Sequence, residues 1–216
     1  MTPRVLAILF DLDGTLLNTL DDLTDSVNAA LSAGGYPPRG TDEVRGFIGN
    51  GISKLIERAV PPGTSKEAQR LALGHFREYY GKNMQAKTRP YDGVIEMLQA
   101  VASRGIRMAV VSNKPDSEVR PLVQEIFGRW ISYSHGDLEG LPPKPAPDGA
   151  LRMLKALGVP ADQTFFVGDS DIDIETAHAA GLFSVGCSWG FRSRETLEKA
   201  GADAIIEAPA QLLALL

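Results

Sequence analysis

Apolar residues come in short unbroken runs along much of this chain. Val5–Phe10 ("VLAILF"), Ile106–Ser112 ("IRMAVVS"), Trp130–Ser134 ("WISYS"), Thr164–Asp169 ("TFFVGD") and Phe183–Ser188 ("FSVGCS") read as strands buried on both faces. Helical patterns separate most of them, such as "VIEMLQAVASRG" before the second run and "GALRMLKALGV" before the fourth. Gly105, directly after Arg104, is a helix-stop arrangement. A last short run, "ADAIIE", and the terminal "PAQLLALL" close the pattern. Strands alternating with helices predict a parallel sheet covered on both faces, hence an α/β fold.

The stretch from about Thr19 to Thr88 breaks that alternation and contains no convincing strand. In "TLDDLTDSVNAALSAGG", Leu20, Leu23, Val27, Ala30 and Leu31 share one helical face. Thr19 is the expected N-cap, and the acids after it suit the positive end of the helix dipole. "DEVRGFIG", "GISKLIERAV" and "SKEAQRLALGHFREYYGKNM" predict further helices. A helical insert therefore follows the first strand of an α/β core.

Composition narrows the partners. The 216 residues carry a net formal charge of −5, which argues against a nucleic-acid surface but not against a small anionic substrate. Cys187 is the only cysteine, so an intrachain disulfide and a thiolate metal cluster are excluded. No apolar run is long enough to span a membrane, and "MTPRVLAILFDLD" is too short in apolar residues for a secretory leader. A cytoplasmic protein is the expectation, monomeric or homodimeric, with no membrane or nucleic-acid partner.

The predicted strand ends carry the chemistry. In a parallel sheet, ligands bind beyond the C-terminal ends of the strands. The first strand ends in "FDLDGT", with Asp11 and Asp13. The second ends in "VVSNK", with Ser112, Asn113 and Lys114. Lys144 follows the third, between prolines in "GLPPKPAPDGAL", and the fourth ends in "FVGDSDID", with Asp169, Asp171 and Asp173. Clustered carboxylates repel unless a cation compensates, and hard oxygen donors suit Mg²⁺. Such a metal, with a lysine and Ser/Asn donors nearby, suits a transferring phosphoryl group.

This set resembles the haloacid dehalogenase superfamily of phosphatases. "DLDGT", "VVSN", the lysine of "PPKPAP" and "VGDSDID" are similar to its four signatures, in order, across essentially the whole chain. The resemblance implies a Rossmann-like core of residues 1–15 and 89–216 and an inserted helical cap of residues 16–88. It implies Asp11 as nucleophile, forming an aspartyl-phosphate. Asp13 would be the general acid/base, its backbone carbonyl reaching Mg²⁺. Asp169 would be a metal ligand, and Asp173 would support the metal or orient Lys144. Ser112 and Asn113 would hydrogen-bond the phosphoryl oxygens, and Lys144 would neutralise charge. Gly14 would allow a tight backbone path, and Thr15 would position Asp13.

Within the superfamily, "FDLDGTLLNTLDDL", "GFIGNGISKLIERA", "RPYDGV", "VVSNK" and "FVGDSDIDIETAHAAG" resemble the phosphoglycolate phosphatases. That likeness implies a small phosphomonoester, 2-phosphoglycolate first. Asn50 and Lys54 of the insert are the candidates to meet its carboxylate, with Arg45 nearby. Alternatives are a β-phosphoglucomutase-like sugar-phosphate mutase, a dehalogenase, and, from another class, a phosphoreceiver module. Asp171 is expected only to cap the helix after it, and His75, His135 and His178 form no metal-ligand pattern. Trp189, Arg192 and Arg194 either reach the same rim or form a helix-start loop.

Overall fold

The computed structural model describes residues 4–216; Met1–Pro3, the start of the segment read for a leader, lie outside them. Its described residues divide into two compact units, 4–16 with 90–216 and 17–89.

The larger unit is built on six parallel strands: β1 (Ala7–Phe10), β4 (Arg107–Pro115), β5 (Tyr133–Asp137), β6 (Thr164–Gly168), β7 (Phe183–Cys187) and β8 (Ala204–Ile206). Two short strands, β2 (Leu17–Asn18) and β3 (Arg89–Pro90), pair with each other where the chain passes between the units. The sheet order is β5-β4-β1-β6-β7-β8. β1 is central and wholly buried, as its run of apolar residues requires. Leu9, Val111 and Phe166 on one sheet face pack with Met153 and Leu157 of helix α7 (Asp148–Leu157) and Ala177 of α8 (Asp171–Ala179).

Register decides which residues meet. Phe10 aligns with Val110 of β4 and with Val167 of β6, so β1 and β6 end within one residue of each other while β4 runs on to Pro115. Asp11 directly follows β1, Asp169 directly follows β6, and Ser112 lies in β4 two residues beyond the partner of Phe10; the three are 57 to 158 positions apart in sequence.

The smaller unit packs α1 (Leu20–Ala33), α2 (Thr41–Phe47), α3 (Gly51–Ala59) and α4 (Lys66–Asn83) around Val27, Leu31, Ile56, Phe76 and Tyr80. The Phe76 and Tyr80 rings stack with centroids 5.3 Å apart. One buried carboxylate ties its two ends together. Asp22 of α1 accepts backbone N–H bonds from Lys87 at 3.0 Å and Thr88 at 2.7 Å.

Three expectations are corrected. Trp130–Ser134 is not the third strand: Trp130 and Ile131 donate back to the Phe127 carbonyl in the turn ending α6 (Asp116–Phe127), and pairing starts at Tyr133. Buried Ile131 plugs that turn, while the true strand, "YSHGD", is polar because it lies at the sheet edge. Thr19 holds the N-cap position but makes no side-chain cap bond; its Oγ1 is buried without a partner, and Asn18 Oδ1 accepts from the Leu20 N–H instead. Asp171 does not close the cap of α8. That box is Ser170 with Asp173, because the third helical residue, not the first, can reach back to the cap N–H.

Replacing Asp22 by Ala strands the Lys87 and Thr88 N–H groups. We expect a loss of about 2–3 kcal/mol, read as a lower urea midpoint at unchanged slope.

Candidate active site

Four strand ends build one acidic, buried cluster in the larger unit. Asp11 follows β1 directly, and its N–H still donates to the Val167 carbonyl at 2.9 Å. The loop after β5 brings in Lys144, 7% exposed, through a cis Lys144–Pro145 bond. The Lys144 Nζ lies 2.8 Å from Asp11 Oδ1 and 2.6 Å from Asp173 Oδ1. The other Asp173 oxygen accepts from Ser170 N–H at 3.0 Å and Ser170 Oγ–H at 2.7 Å. One carboxylate thus caps a helix and anchors a lysine.

Asp169 is held from several sides. Its Oδ1 accepts from Thr15 Oγ1 at 3.1 Å and its Oδ2 from the Phe191 N–H at 2.7 Å. Thr15 therefore orients Asp169, not Asp13 as expected from sequence. Gly14, at φ +90°, lets the backbone pass so close that a Cβ there would sit 2.7 Å from the Asp169 Cγ. Gly190 does the same from the other side: its Cβ would lie 2.5 Å from Asp169 Oδ2.

Asp13 stands apart from the other acids and has its own cation. Lys114 Nζ lies 3.3 and 3.5 Å from the two Asp13 oxygens, with Glu118 at 3.9 Å. The sequence displayed Lys114 in "VVSNK" but gave no partner for it. Ser112 Oγ accepts from the Lys114 N–H at 3.2 Å, which leaves its own hydrogen to donate. The Asn113 side chain turns to the Lys144 backbone.

The loop after β7 is the other element whose role the sequence left open. Trp189 Nε1 donates to the Thr15 carbonyl at 3.0 Å, and Phe191 binds Asp169. Arg192 instead pairs with Asp171 at 3.9 Å, and Arg194 with Glu198 and Glu207 on the surface. The signal in sequence was "WGF": a glycine between aromatics directly after a strand. His75 and His178 are exposed; His135 is buried. Cys187 is buried 3.7 Å from Thr15 Oγ1, and burial pushes its thiol pKa up.

The insert residues have partners of their own. Asn50 Oδ1 accepts from Arg58 at 2.7 Å, and Lys54 pairs with Glu57 at 2.8 Å. Arg45 pairs with Asp42 at 3.4 Å.

Charge bookkeeping shows what the cluster needs. Asp11, Asp169 and Asp173 each place an oxygen within 4.8 Å of the others, all buried. At 4.8 Å and an effective dielectric near 20, each like pair costs about 3 kcal/mol. One ammonium faces three carboxylates and pairs with only Asp11 and Asp173, so with all three ionised the cluster keeps a net negative charge. Burial, then the other two carboxylates, push Asp11 well above the usual range, against the pull of Lys144. Burial first and Asp173 second raise Asp169 to about 7, despite its bonds to Phe191 and Thr15. Burial would lower Lys144, but Asp11 and Asp173 outweigh it and hold the ammonium charged. The donor set fits a small hard cation: oxygens only, strained by mutual repulsion, with free lone pairs on Asp11 and Asp169.

The sequence model described as haloacid dehalogenase-like hydrolase matches residues 8–187. This chain belongs to that family. Within it, the chain is 34% identical over 212 residues to phosphoglycolate phosphatase 1 of Pseudomonas aeruginosa, covering 95% of this chain and 76% of that one. It is 37% identical over 211 residues to a phosphoglycolate phosphatase of Rhodospirillum rubrum, covering 93% and 86%. Among solved structures, a predicted phosphoglycolate phosphatase from Haemophilus somnus superposes at a TM-score of 0.91 with 32% identity, covering 100% and 99%. The family match spans the helical insert as well as most of the α/β core.

Two outcomes follow for the acidic cluster. A carboxyl with a pKa near 7 is mostly protonated at pH 6 and mostly ionised at pH 8, so protons compete with a cation at the lower pH. The rise in Tm produced by added Mg²⁺ should therefore be larger at pH 8 than at pH 6, and an equal rise at both would contradict it. Gly190→Ala should keep the circular dichroism spectrum but weaken Mg²⁺ binding about 10–100-fold by calorimetry, because Asp169 must move.

Proposed function

We propose that this chain is a Mg²⁺-dependent phosphatase acting through an aspartyl-phosphate on Asp11, with 2-phosphoglycolate as its preferred substrate. One observation carries the reading. Two carboxylates two residues apart have different environments and separate lysines, Asp11 with Lys144 and Asp13 with Lys114. Pairs of acids held apart in this way are suited to separate jobs.

In the first step an Asp11 oxygen attacks phosphorus and the ester P–O bond breaks. The leaving alkoxide takes a proton from Asp13, released as the alcohol. In the second step Asp13 takes a proton from water as that water attacks the phosphorus of the acyl phosphate. Inorganic phosphate leaves and Asp11 is restored. Lys144 keeps one positive charge against the nucleophile throughout, and the Ser112 hydroxyl, whose oxygen already accepts from the Lys114 N–H, would donate its hydrogen to a phosphoryl oxygen. Mg²⁺ would be held by Asp11, Asp169 and the Asp13 carbonyl, and when bound it neutralises charge on the phosphoryl group. Asp173 has both oxygens engaged already, so its part is to fix Lys144.

Substrate choice falls to the insert, residues 17–89, as a cap. The residues of the acidic cluster offer only phosphate and cation chemistry, common to every phosphomonoester. The relatives named as phosphoglycolate phosphatases, at 34–37% identity over most of the chain, support the two-carbon carboxylate ester. For Lys54 to meet that carboxylate it must leave Glu57, an exposed pair worth little.

Phosphate release from a panel of phosphomonoesters tests this. Phosphoglycolate should give the highest kcat/KM, above glycerol phosphate and sugar phosphates, and chelation should abolish turnover until Mg²⁺ is restored. Asp11→Asn should lose essentially all activity and Asp13→Ala about 10²–10⁴-fold. A poor rank for phosphoglycolate removes the substrate while keeping the phosphatase; full activity in excess chelator removes the metal. Lys54→Ala should narrow the preference for phosphoglycolate and leave para-nitrophenyl phosphate turnover nearly unchanged.

A further inference from the structure

Asn113 is the residue whose placement departs most from what its position suggests. It follows Ser112 in the second half of β4, where a side-chain amide would be expected to grip a phosphoryl oxygen. Instead both ends of its amide are taken by one other residue. Oδ1 accepts from the Lys144 N–H at 2.8 Å, and Nδ2 donates to the Lys144 carbonyl at 3.0 Å. The pair forms a closed ring, like one rung of a sheet ladder supplied by a side chain.

The ring has a reason. Lys144 lies in the stretch between β5 and α7, outside any helix or strand, and is buried. Buried backbone N–H and C=O groups need partners, and here no ladder provides them. The Asn amide presents an N–H donor and a carbonyl acceptor side by side, the same pair that a peptide group needs. By fixing both backbone atoms of Lys144, it fixes the point from which the ammonium reaches Asp11 at 2.8 Å and Asp173 at 2.6 Å.

We infer that Asn113 is a positioning residue for Lys144, acting through the lysine backbone. This rests on the phosphatase reading above. It gives adjacent residues separate tasks: Ser112 faces the phosphoryl group, Asn113 holds the cation of Asp11, and Lys114 is the cation of Asp13.

A double-mutant cycle in Mg²⁺-containing buffer tests it. Asn113→Ala in the wild-type background should lower kcat/KM for para-nitrophenyl phosphate on the order of 10²-fold, the scale of a small misplacement of a catalytic group. In a Lys144→Met background the same change should have almost no effect, because the group it positions is gone. Equal losses in both backgrounds would mean that Asn113 meets the substrate itself and would overturn the inference. The same cycle is read in tungstate affinity by calorimetry, which needs no turnover. If wild-type enzyme releases no phosphate, the phosphatase reading fails while the tungstate cycle still reports on the clamp. If Asn113→Ala does not fold, hydrogen exchange in the wild-type protein decides: the Lys144 amide should be strongly protected, and rapid exchange there would refute the clamp.

Discussion

The site depends on one buried ammonium. Lys144 lies between Asp11 and Asp173, and no other cation touches either carboxylate among the described residues. Taking a lysine out of water costs several kcal/mol, and it is repaid only where partners are close and well oriented. Here three devices supply that orientation. Asn113 holds the backbone, Asp173 is held by Ser170, and the end of β1 fixes Asp11. Removing Asp11 or Asp173 leaves the ammonium buried with one partner fewer, which is more harmful than never having buried it. The same ammonium is too little for the cluster as a whole. The surplus negative charge raises Asp11 and Asp169, and that surplus is the physical argument for a cation.

The fold makes the cluster possible by register more than by proximity in sequence. Strands β4 and β6 flank β1 in parallel, so residues at or just beyond the level where β1 ends come from three separate strands to one edge. A slip of one residue in any of them would turn the reactive side chain to the opposite face. The fully buried apolar runs hold that register, because each strand packs on both faces. The core is thus the reason that Asp11, Ser112 and Asp169 meet.

Much of this was legible in the chain, and the unread parts have specific causes. The central strands were visible because burial on both faces leaves an unbroken apolar run, as in "VLAILF". The edge strand β5 was placed too early because an edge strand need not be apolar, and Ile131 is buried in a turn instead. The acids and Lys144 were visible as chemistry at strand ends. Their partners were not. Hydrogen bonds between segments distant in sequence leave little trace in it, so the bonds of Asn113 to the Lys144 backbone were not foreseen, and Thr15 was expected at Asp13 where it bonds Asp169. Gly190 was equally silent, since close approach of backbone to a carboxylate is a property of two segments, not of either.

The two lysines lead to a last step of synthesis. A reaction that first forms and then hydrolyses an acyl phosphate needs an attacking carboxylate that stays fixed and an acid that changes protonation twice. Lys144 suits the first: buried, tied to two carboxylates, with its backbone clamped, it has no freedom to follow a moving charge. Lys114 suits the second. It faces Asp13 at 3.3 Å, beyond an optimal charged hydrogen bond, and Asp13 is the more exposed of the two acids. The closer pair restrains and the looser pair permits. Under the proposed mechanism, that difference in grip would let neighbouring aspartates in one short loop take unlike roles.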